Sequence, residues 1–157
     1  MDTIDKNIIE TLQRQGRMTN VELARMNDLA PSSMLDRVRR LEERGVIKSY
    51  RAVLDPKAIG YQVQAMIMIT LDHHQAGSID SFESRICAVP EVKTCYHLTG
   101  QYDYIAHLVV RDIEHLGEMV KHHIGSIPGV EKQETFLVLS TIQEDEGYSL
   151  EYVANEE

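Results

Sequence analysis

The clearest candidate for chemistry in this 157-residue chain is a basic segment, PSSMLDRVRRLEER, at residues 31–44. The whole chain carries a formal net charge of -9. Residues 1–53 nevertheless hold ten Lys and Arg against eight Asp and Glu, whereas residues 54–157 hold six against seventeen. Because phosphate groups attract clustered positive charge, this asymmetry favours a nucleic-acid contact in the first third of the chain.

Two short helices are predicted ahead of this segment. Ile4, Ile8 and Leu12 recur at helical spacing and form one apolar stripe. Thr19 and Glu22 form a capping box, in which the Thr hydroxyl accepts from the third helical amide and the Glu carboxylate reaches back to the N-cap amide. A capped short helix followed by a turn and a basic helix is typical of a helix-turn-helix.

The third helix is predicted to begin at Pro31, where a missing backbone N–H costs nothing, and to bury Leu35, Val38 and Leu41. A recognition helix places its N-terminal residues at base edges and its arginines on phosphates or guanine. The residues predicted to contact double-stranded DNA are Ser32, Ser33, Asp36, Arg37, Arg39, Arg40 and Arg44. The alternative is a solvated helix face, because this arginine spacing occurs on any exposed helix.

A change of pattern near residue 54 predicts a second domain that mixes strands and helices. Apolar alternation indicates the strands, and stripes at helical spacing indicate the helices. The predicted elements are a linking strand at 46–54, a strand at 62–71, a helix burying Ile79, Phe82, Ile86 and Val89, strands at 92–99 and 102–110, a helix capped by Asp112 that buries Ile113, Leu116, Val120, Ile124 and Ile127, and a last strand from Val130. The recurrence of Pro and Val after each helix marks two like halves, which predicts a ferredoxin-like βαββαβ domain and an α+β chain.

An antiparallel sheet backed by two helices leaves one sheet face uncovered. Depending on the face that each strand presents, Met66, Met68, Ile105 or Val109 would lie there. A second copy of the chain is the simplest cover for such apolar residues. We therefore expect at least a homodimer.

Seven short motifs together identify a family. In order, they are NVELA at 20–24, RVRRLE at 37–42, GVIK at 45–48, LDPKAIG at 54–60, PEV at 90–92, TGQYD at 99–103 and PGV at 128–130. In type, order and spacing they closely resemble the leucine-responsive regulator (Lrp/AsnC) family of bacterial and archaeal transcription factors. The resemblance covers nearly the whole chain and leaves out the tail after about residue 143.

This resemblance implies a regulator with an N-terminal helix-turn-helix, a linking strand and a ferredoxin-like domain. It implies that the second domain binds small effectors, usually amino acids, at interfaces between dimers. It also implies that dimers assemble into tetramers or octamers around which DNA can bend. The chain departs from the family at Ala30, where Ser is usual, and at Asp36, where Arg is frequent. These departures affect the expected DNA sequence and affinity.

The effector is expected at the motif formed by Thr99, Gly100, Gln101, Tyr102 and Asp103. Gly100 permits a turn that exposes N–H groups to a carboxylate, and Asp103 offers a charge for an ammonium group. Spacing alone favours a plain hairpin turn, and the family resemblance reverses that preference. Weaker candidates, which match strand positions lining the pocket in the family, are Thr135, Ser140 and Thr141. Exposed strand hydroxyls are the alternative for these three.

Other function classes find less support in the residues. We expect no metal and no cofactor, because adjacent histidines at 73–74 and 122–123 point in different directions on a strand or helix. The same domain pair occurs in sirohaem decarboxylases, whose tetrapyrrole carboxylates would need a concentrated set of arginines. Arg85 and Arg111 are the two arginines after residue 51, so we expect no enzyme. A ligand-binding assembly protein that has lost its DNA-binding face is the second alternative.

The expected division of the chain is a DNA-binding domain with linker at 1–53, an effector and oligomerisation domain at 54–143, and an acidic tail at 144–157. Alternation around Tyr148, Leu150 and Tyr152 predicts that the tail adds a strand beside residues 46–54. The chain has no apolar run of the ~20 residues that cross a bilayer, and its first residues lack the features of a signal peptide. We therefore expect a cytoplasmic protein that makes no membrane contact.

Overall fold

The computed structural model describes residues 1–72 and 78–153, which group into two compact units. The first unit is Met1–Val53 together with the residues from Gln143 onward, and the second is Leu54–Ile142. Each unit has its own hydrophobic cluster. The last residues of the predicted tail, 154–157, lie outside the described part of the chain.

The first unit contains the three predicted helices, α1 (Thr3–Arg14), α2 (Asn20–Met26) and α3 (Pro31–Glu43). The Thr19 and Glu22 capping box before α2 is confirmed, and both reciprocal hydrogen bonds are present. Asp28, in the turn between α2 and α3, has a φ of 52°, a left-handed conformation that Asp adopts more readily than most residues. The helix-turn-helix prediction is therefore confirmed at the level of local geometry.

The buried face of α3 differs by one residue from the prediction. Met34, Val38 and Leu41 are buried against α1 and α2, whereas Leu35 is 39% exposed. Met34 and Leu35 are adjacent apolar residues, about 100° apart on the helix, so both fit the periodicity. The packing of α3 against α1 and α2 decides that Met34, and not Leu35, is buried.

The linking strand at 46–54 and the tail strand are both absent from the described residues. Residues 48–55 form neither helix nor strand, and neither do residues 143–150. An extended segment becomes a strand when a neighbour completes its hydrogen-bond ladder, and no such ladder to these segments forms within the described chain. The predicted tail strand is wrong, because residues 143–150 form no strand and Tyr148 hydrogen-bonds instead to Gln13 of α1.

The second unit is a four-stranded antiparallel sheet with two helices, and the ferredoxin-like prediction is confirmed. Its elements are β1 (Val63–Leu71), α4 (Ser78–Cys87), β2 (Val92–His97), β3 (Tyr104–Val110), α5 (Ile113–Glu118) and β4 (Val130–Leu137). The strand order is β2-β3-β1-β4, so β3 and β1 are the central strands and β2 and β4 lie at the edges. A short 3-10 turn at Lys57–Ile59 precedes β1.

Alternate residues of the central strands point into the core of the second unit. Ile67 and Ile69 on β1 and Leu108 on β3 are fully buried, together with Phe82 of α4. Two predicted helix positions are wrong: Ile79 is 41% exposed and Ile113 is 59% exposed. Each lies in the first turn of its helix. The apolar stripe begins there, but the core of the second unit does not cover that turn.

After Glu118 the second helix of this unit continues as a π-helix, Met119–Ile124. The Val120 carbonyl accepts from the Gly125 N–H at 2.9 Å and also from the Gln133 side-chain amide at 2.9 Å. Gln133 lies on β4, so this side chain ties the wider helical turn to the sheet. In the described residues no helix is both long and apolar enough to span a membrane.

Candidate DNA-binding face and candidate ligand loop

The outer side of α3 presents a polar and mainly basic surface, which we call the α3 face. Its residues are all exposed, and they are Ser32, Ser33, Asp36, Arg39, Arg40 and Arg44. Neither Arg39 nor Arg40 forms an ion pair within residues 1–72 and 78–153; the closest polar contact of Arg40 is to the Asp36 carbonyl at 3.4 Å. Two guanidinium groups on the α3 face are therefore available to an anionic partner.

Arg37 does not belong to this surface, and its predicted DNA contact is not supported by its geometry. Its guanidinium donates to Asp2 at 2.7 Å and to Asp5 at 2.8 Å, and its side chain is 22% exposed. Both acceptors lie at the start of α1, so Arg37 ties α3 to α1. These two bonds raise the pKa of Arg37, and the Asp5 N–H and Arg37 hold the pKa of Asp2 below its usual range.

The N-terminus of α3 has no side-chain cap. Ala30 is the N-cap residue, with extended backbone and no side-chain hydrogen bond to the helix, and Pro31 occupies the first turn. Sequence analysis did not identify Tyr50, whose hydroxyl donates to Glu42 at 2.9 Å and thereby fastens the chain after α3 to this helix. Burial and the Glu42 carboxylate raise the pKa of Tyr50 to about 12.

The candidate ligand loop, residues 98–103, joins β2 to β3. Gly100 has a φ of 132°, which favours glycine, and a Cβ at this position would meet open space. The Leu98 N–H donates to the Asp103 carbonyl at 2.7 Å, and the Asp103 N–H donates to the Ile69 carbonyl at 2.9 Å. The loop is thus closed on itself and attached to β1, while Thr99, Gly100 and Gln101 remain exposed.

Asp103 has a structural contact that the sequence pattern did not reveal. One carboxylate oxygen accepts from the Leu71 backbone N–H at 2.8 Å, where β1 ends and its register with β4 shifts. A carboxylate fixed in this way has a defined orientation at the base of the loop. Asp103 therefore stabilises the sheet in addition to offering negative charge beside Gly100.

Tyr102 connects the loop to the far strand of the sheet. Its hydroxyl donates to Glu134 at 3.0 Å, and Glu134 also pairs with Lys132 at 2.6 Å. The Lys132 ammonium and the Tyr102 hydroxyl lower the pKa of Glu134, and in turn Glu134 raises the pKa of Tyr102. Glu134 and Lys132 were missed by sequence analysis, because their approach to Tyr102 depends on cross-strand register.

The weaker ligand candidates do not join the loop within the described residues. Thr135 pairs with Ile67 on β1, one row away from the Glu134 and Met68 pair, and no hydrogen bond links it to residues 98–103. Ser140 and Thr141 are exposed and follow the end of β4 at Leu137, so their assignment to the last strand is wrong. The sheet's ladder with β1 ends before these two residues.

The sheet face turned away from α4 and α5 is apolar in its middle, and we call it the open sheet face. Met68 lies opposite Ile105 on one side and Glu134 on the other, and Met66 lies opposite Phe136. Their side chains are half-buried or exposed within one chain, and Phe136 is 50% exposed. Val109 differs from the other predicted members, because it is buried in the single chain, with 4% of its surface exposed.

Two of the described histidines, His97 and His107, make ordinary side-chain contacts. The His97 ring stacks on Tyr104 at 4.6 Å between centroids, and His107 hydrogen-bonds to Gln64 at 3.1 Å. No group of three or more His, Cys, Asp or Glu suitable for a metal ion occurs among residues 1–72 and 78–153. The adjacent pair at 73–74 lies outside this part of the chain.

Family models match both parts of the chain. A model described as a winged helix-turn-helix DNA-binding domain matches residues 1–48, and one described as an Lrp/AsnC ligand-binding domain matches residues 64–148. Together with α1–α3 and the ferredoxin-like sheet, these matches define a DNA-binding transcriptional regulator with a small-molecule-binding domain.

Individual relatives agree over nearly the whole length. An HTH-type transcriptional regulator of Pyrococcus horikoshii is 38% identical over 92% of this chain and 93% of its own. The leucine-responsive regulatory protein of Escherichia coli is 31% identical over 92% and 88%. A Neisseria meningitidis transcriptional regulator solved with L-methionine superposes with a TM-score of 0.93, 30% identity and coverage of 98% and 99%. The chain belongs to the Lrp/AsnC family of transcriptional regulators.

Proposed function

We propose that this regulator binds double-stranded DNA through the α3 face and acts as a transcription factor, not as an enzyme. The observation that carries the proposal is the exposure of Arg39 and Arg40 on the third helix of a helix-turn-helix, with no ion pair in the described residues to neutralise them. In this proposal Ser32 and Ser33, in the first turn of α3, contact base edges, as the N-terminal residues of a recognition helix do. Asp36 adds an acceptor that suits a cytosine amino group.

Salt titrations of DNA affinity test this proposal. Arg39→Ala and Arg40→Ala should each reduce the slope of log affinity against log salt by ~0.9, because each removes one phosphate contact. Arg85→Ala makes the same change on an exposed residue of α4 and should leave the slope unaltered. Slopes that are equal for wild type and both α3 variants would exclude the α3 face as the DNA contact.

We further propose that an amino acid is the effector and that it binds at the 98–103 loop. The solved L-methionine complex of the Neisseria regulator supports the ligand class. The loop supplies matching chemistry, since Thr99, Gly100 and Gln101 are exposed and offer backbone N–H groups to a carboxylate, and Asp103 carries negative charge at the base of the same loop. An α-amino acid requires both kinds of contact.

Titration calorimetry with a panel of twenty amino acids tests the effector. The informative variant is Asp103→Asn, because its amide oxygen can still accept from the Leu71 N–H while its charge is lost. We expect at least one amino acid to bind wild type at millimolar concentration and to bind Asp103→Asn at least tenfold more weakly. Asp80→Asn, on exposed α4, is the control. A panel without binding heat contradicts the proposal.

The quaternary proposal is a homodimer in which a second copy covers the open sheet face, with dimers assembling into tetramers or octamers. Ile105→Asp places a charge between Met68 and Tyr96 on this face and should dissociate the dimer, because an unpaired buried charge is costly. Ile113→Asp makes the same change on an exposed first-turn position. Sedimentation velocity should show smaller species for Ile105→Asp alone, and an unchanged distribution would contradict this interface.

A further inference from the structure

The C-terminal segment, residues 143–153, is docked on α1 by backbone contacts. The Gln13 side-chain amide donates to the Tyr148 carbonyl at 3.0 Å and accepts from the Tyr148 N–H at 2.6 Å. The Lys6 ammonium donates to the Val153 carbonyl at 2.5 Å. Because Gln13 satisfies both polar groups of one peptide residue, it holds the segment in a single register, as a strand neighbour would.

Two local features show that the segment is shaped for this position. Gly147 has a φ of 97°, and a Cβ on it would clash with the Gln13 side-chain amide. The Asp145 side chain accepts from the Gly147 N–H at 2.9 Å and sets the turn that leads into the contact. Leu150 is 7% exposed, whereas Tyr148 and Tyr152 are more than four-fifths exposed. The contact therefore depends on backbone geometry and one apolar side chain.

Docking changes the charge of the DNA-binding unit. Residues 1–53 carry ten basic against eight acidic side chains, a net charge of +2. The C-terminal segment adds Glu144, Asp145, Glu146 and Glu151 and no Lys or Arg, so the unit with its segment has a net charge of -2. The unit that meets a polyanion is therefore acidic whenever the segment is docked.

The distance across α1 and α3 sets the salt range in which this charge acts on DNA. Lys6 and Gln13 lie on one side of α1, and Ile8 packs its other side into the core shared with α3. The α3 face lies on the far side of α3 from this core, and each helix is about 10 Å across, so the segment and DNA bound at the α3 face are roughly 20 Å apart. The Debye length is ~30 Å at about 0.01 M salt and ~10 Å at about 0.1 M, so the carboxylates of the segment act on that DNA at low salt and are largely screened at higher salt.

We propose that the C-terminal segment is a built-in electrostatic brake, which lowers the affinity for DNA of any sequence while it is docked on α1. This inference rests on the proposed DNA binding by α3. The brake acts through general repulsion of phosphate, so it suppresses non-specific sites and increases the share of the affinity that base contacts must supply. In the described residues the hydrogen bonds from Gln13 and Lys6 and the buried Leu150 hold the segment, so its release has a small free-energy cost.

The docking itself is tested without DNA by amide hydrogen exchange on the full chain. The Tyr148 N–H should be protected in wild type and should lose at least tenfold protection in Gln13→Ala and in Gly147→Ala. Gln15→Ala, at the residue that follows α1, is the matched control and should retain the protection. An unprotected Tyr148 amide in wild type would overturn the inference while leaving the proposed function intact.

The charge effect is tested with Glu144→Gln, Glu146→Gln and Glu151→Gln combined, which keeps every docking contact described above. For a random duplex we expect about five-fold tighter binding at roughly 20 mM salt and a difference that disappears towards 1 M salt. The control combines Glu114→Gln, Glu118→Gln and Glu131→Gln, exposed residues of the second unit with the same total charge. Equal gains in both triple variants would make total charge, not the docked segment, the cause and would overturn the brake.

Discussion

The α3 face and the 98–103 loop are two candidate binding sites of opposite construction. The α3 face is carried by one regular helix, and Arg39 and Arg40 make no ion pair in the described residues. In the loop, Asp103 also bonds to β1, and Tyr102 also bonds to a residue of β4. Arg39 and Arg40 can thus be mutated without a large loss of stability, whereas Asp103 and Tyr102 contribute both to stability and to the proposed binding.

The two sites differ because a helix and a loop satisfy their backbone hydrogen-bonding groups in different ways. A helix satisfies its own backbone groups, so its exposed side chains are available for a partner. A loop at a sheet end has backbone groups with no ladder partner, and side chains such as Asp103 must satisfy those of neighbouring strands. A mutation in the loop therefore requires a control that separates folding from binding.

The largest expected effect comes from removing the Asp103 side chain. Asp103→Ala leaves the Leu71 N–H without its acceptor and should lower the free energy of unfolding of the second unit by about 1–3 kcal/mol. Asp103→Asn should recover most of that loss. By comparison, Arg40→Ala on α3 should stay within about 0.5 kcal/mol of wild type. Urea unfolding measures all three, and an Arg40→Ala loss equal to that of Asp103→Ala would refute the contrast.

Arg37 provides an exception within α3 itself. Arg37→Met leaves the half-buried Asp5 carboxylate unpaired, and after allowance for the exposed Asp2 we expect a loss of about 1–2 kcal/mol. The salt slope of DNA binding should not change, in contrast to Arg40→Met. Because the folded-state pKa of Asp2 is lowered, its contribution is present above about pH 4 and is lost as pH falls further. A reduced salt slope for Arg37→Met would mean that Arg37 contacts DNA and belongs to the α3 face.

The third prediction adds a missing helix cap. Ala30→Ser gives α3 a hydroxyl that can accept from the Ser32 or Ser33 amide, and this should stabilise the first unit by ~1 kcal/mol. Ala30→Val is a suitable control because it enlarges the side chain and adds no acceptor. Calorimetric unfolding should show a higher transition temperature for the Ser variant than for wild type or Val. Equal temperatures for Ser and wild type would mean that the cap does not form.

The smallest effect concerns His107 on the open sheet face. Desolvation, with a smaller contribution from the Lys93 ammonium, lowers the pKa of His107, and Gln64 is its hydrogen-bond partner. The unfolded chain therefore binds the proton more tightly, so stability is complete above about pH 6.5 and decreases as pH falls below it. His107→Gln should reduce this decrease, and exposed His122→Gln should not. Urea unfolding at pH 7 and pH 5 makes the comparison.

Most of the architecture could be predicted from local patterns. The capping box at Thr19, the Pro31 start of α3 and the alternation along β1 each depend on residues a few positions apart, and the structure confirms them. The errors in the buried faces of helices occurred where two adjacent residues fit the same period, as with Met34 and Leu35, or where a helix begins, as at Ile113. The errors in strands occurred at segments that no neighbouring strand pairs in the described residues, such as 48–55 and 143–150. Periodicity gives the face of an element but not the limits of the surface that covers it.

The sequence by itself determined the family, the order of the elements and the basic character of α3, because these follow from short-range spacing and composition. The tertiary structure decided that Arg37 pairs with Asp2 and Asp5 and that Asp103 bonds to Leu71. It also decided that residues 143–153 pack on α1 and do not form a strand. Each of these contacts joins residues more than 30 positions apart, and hydrogen-bond partners at that separation are set by how elements pack, which local periodicity does not encode.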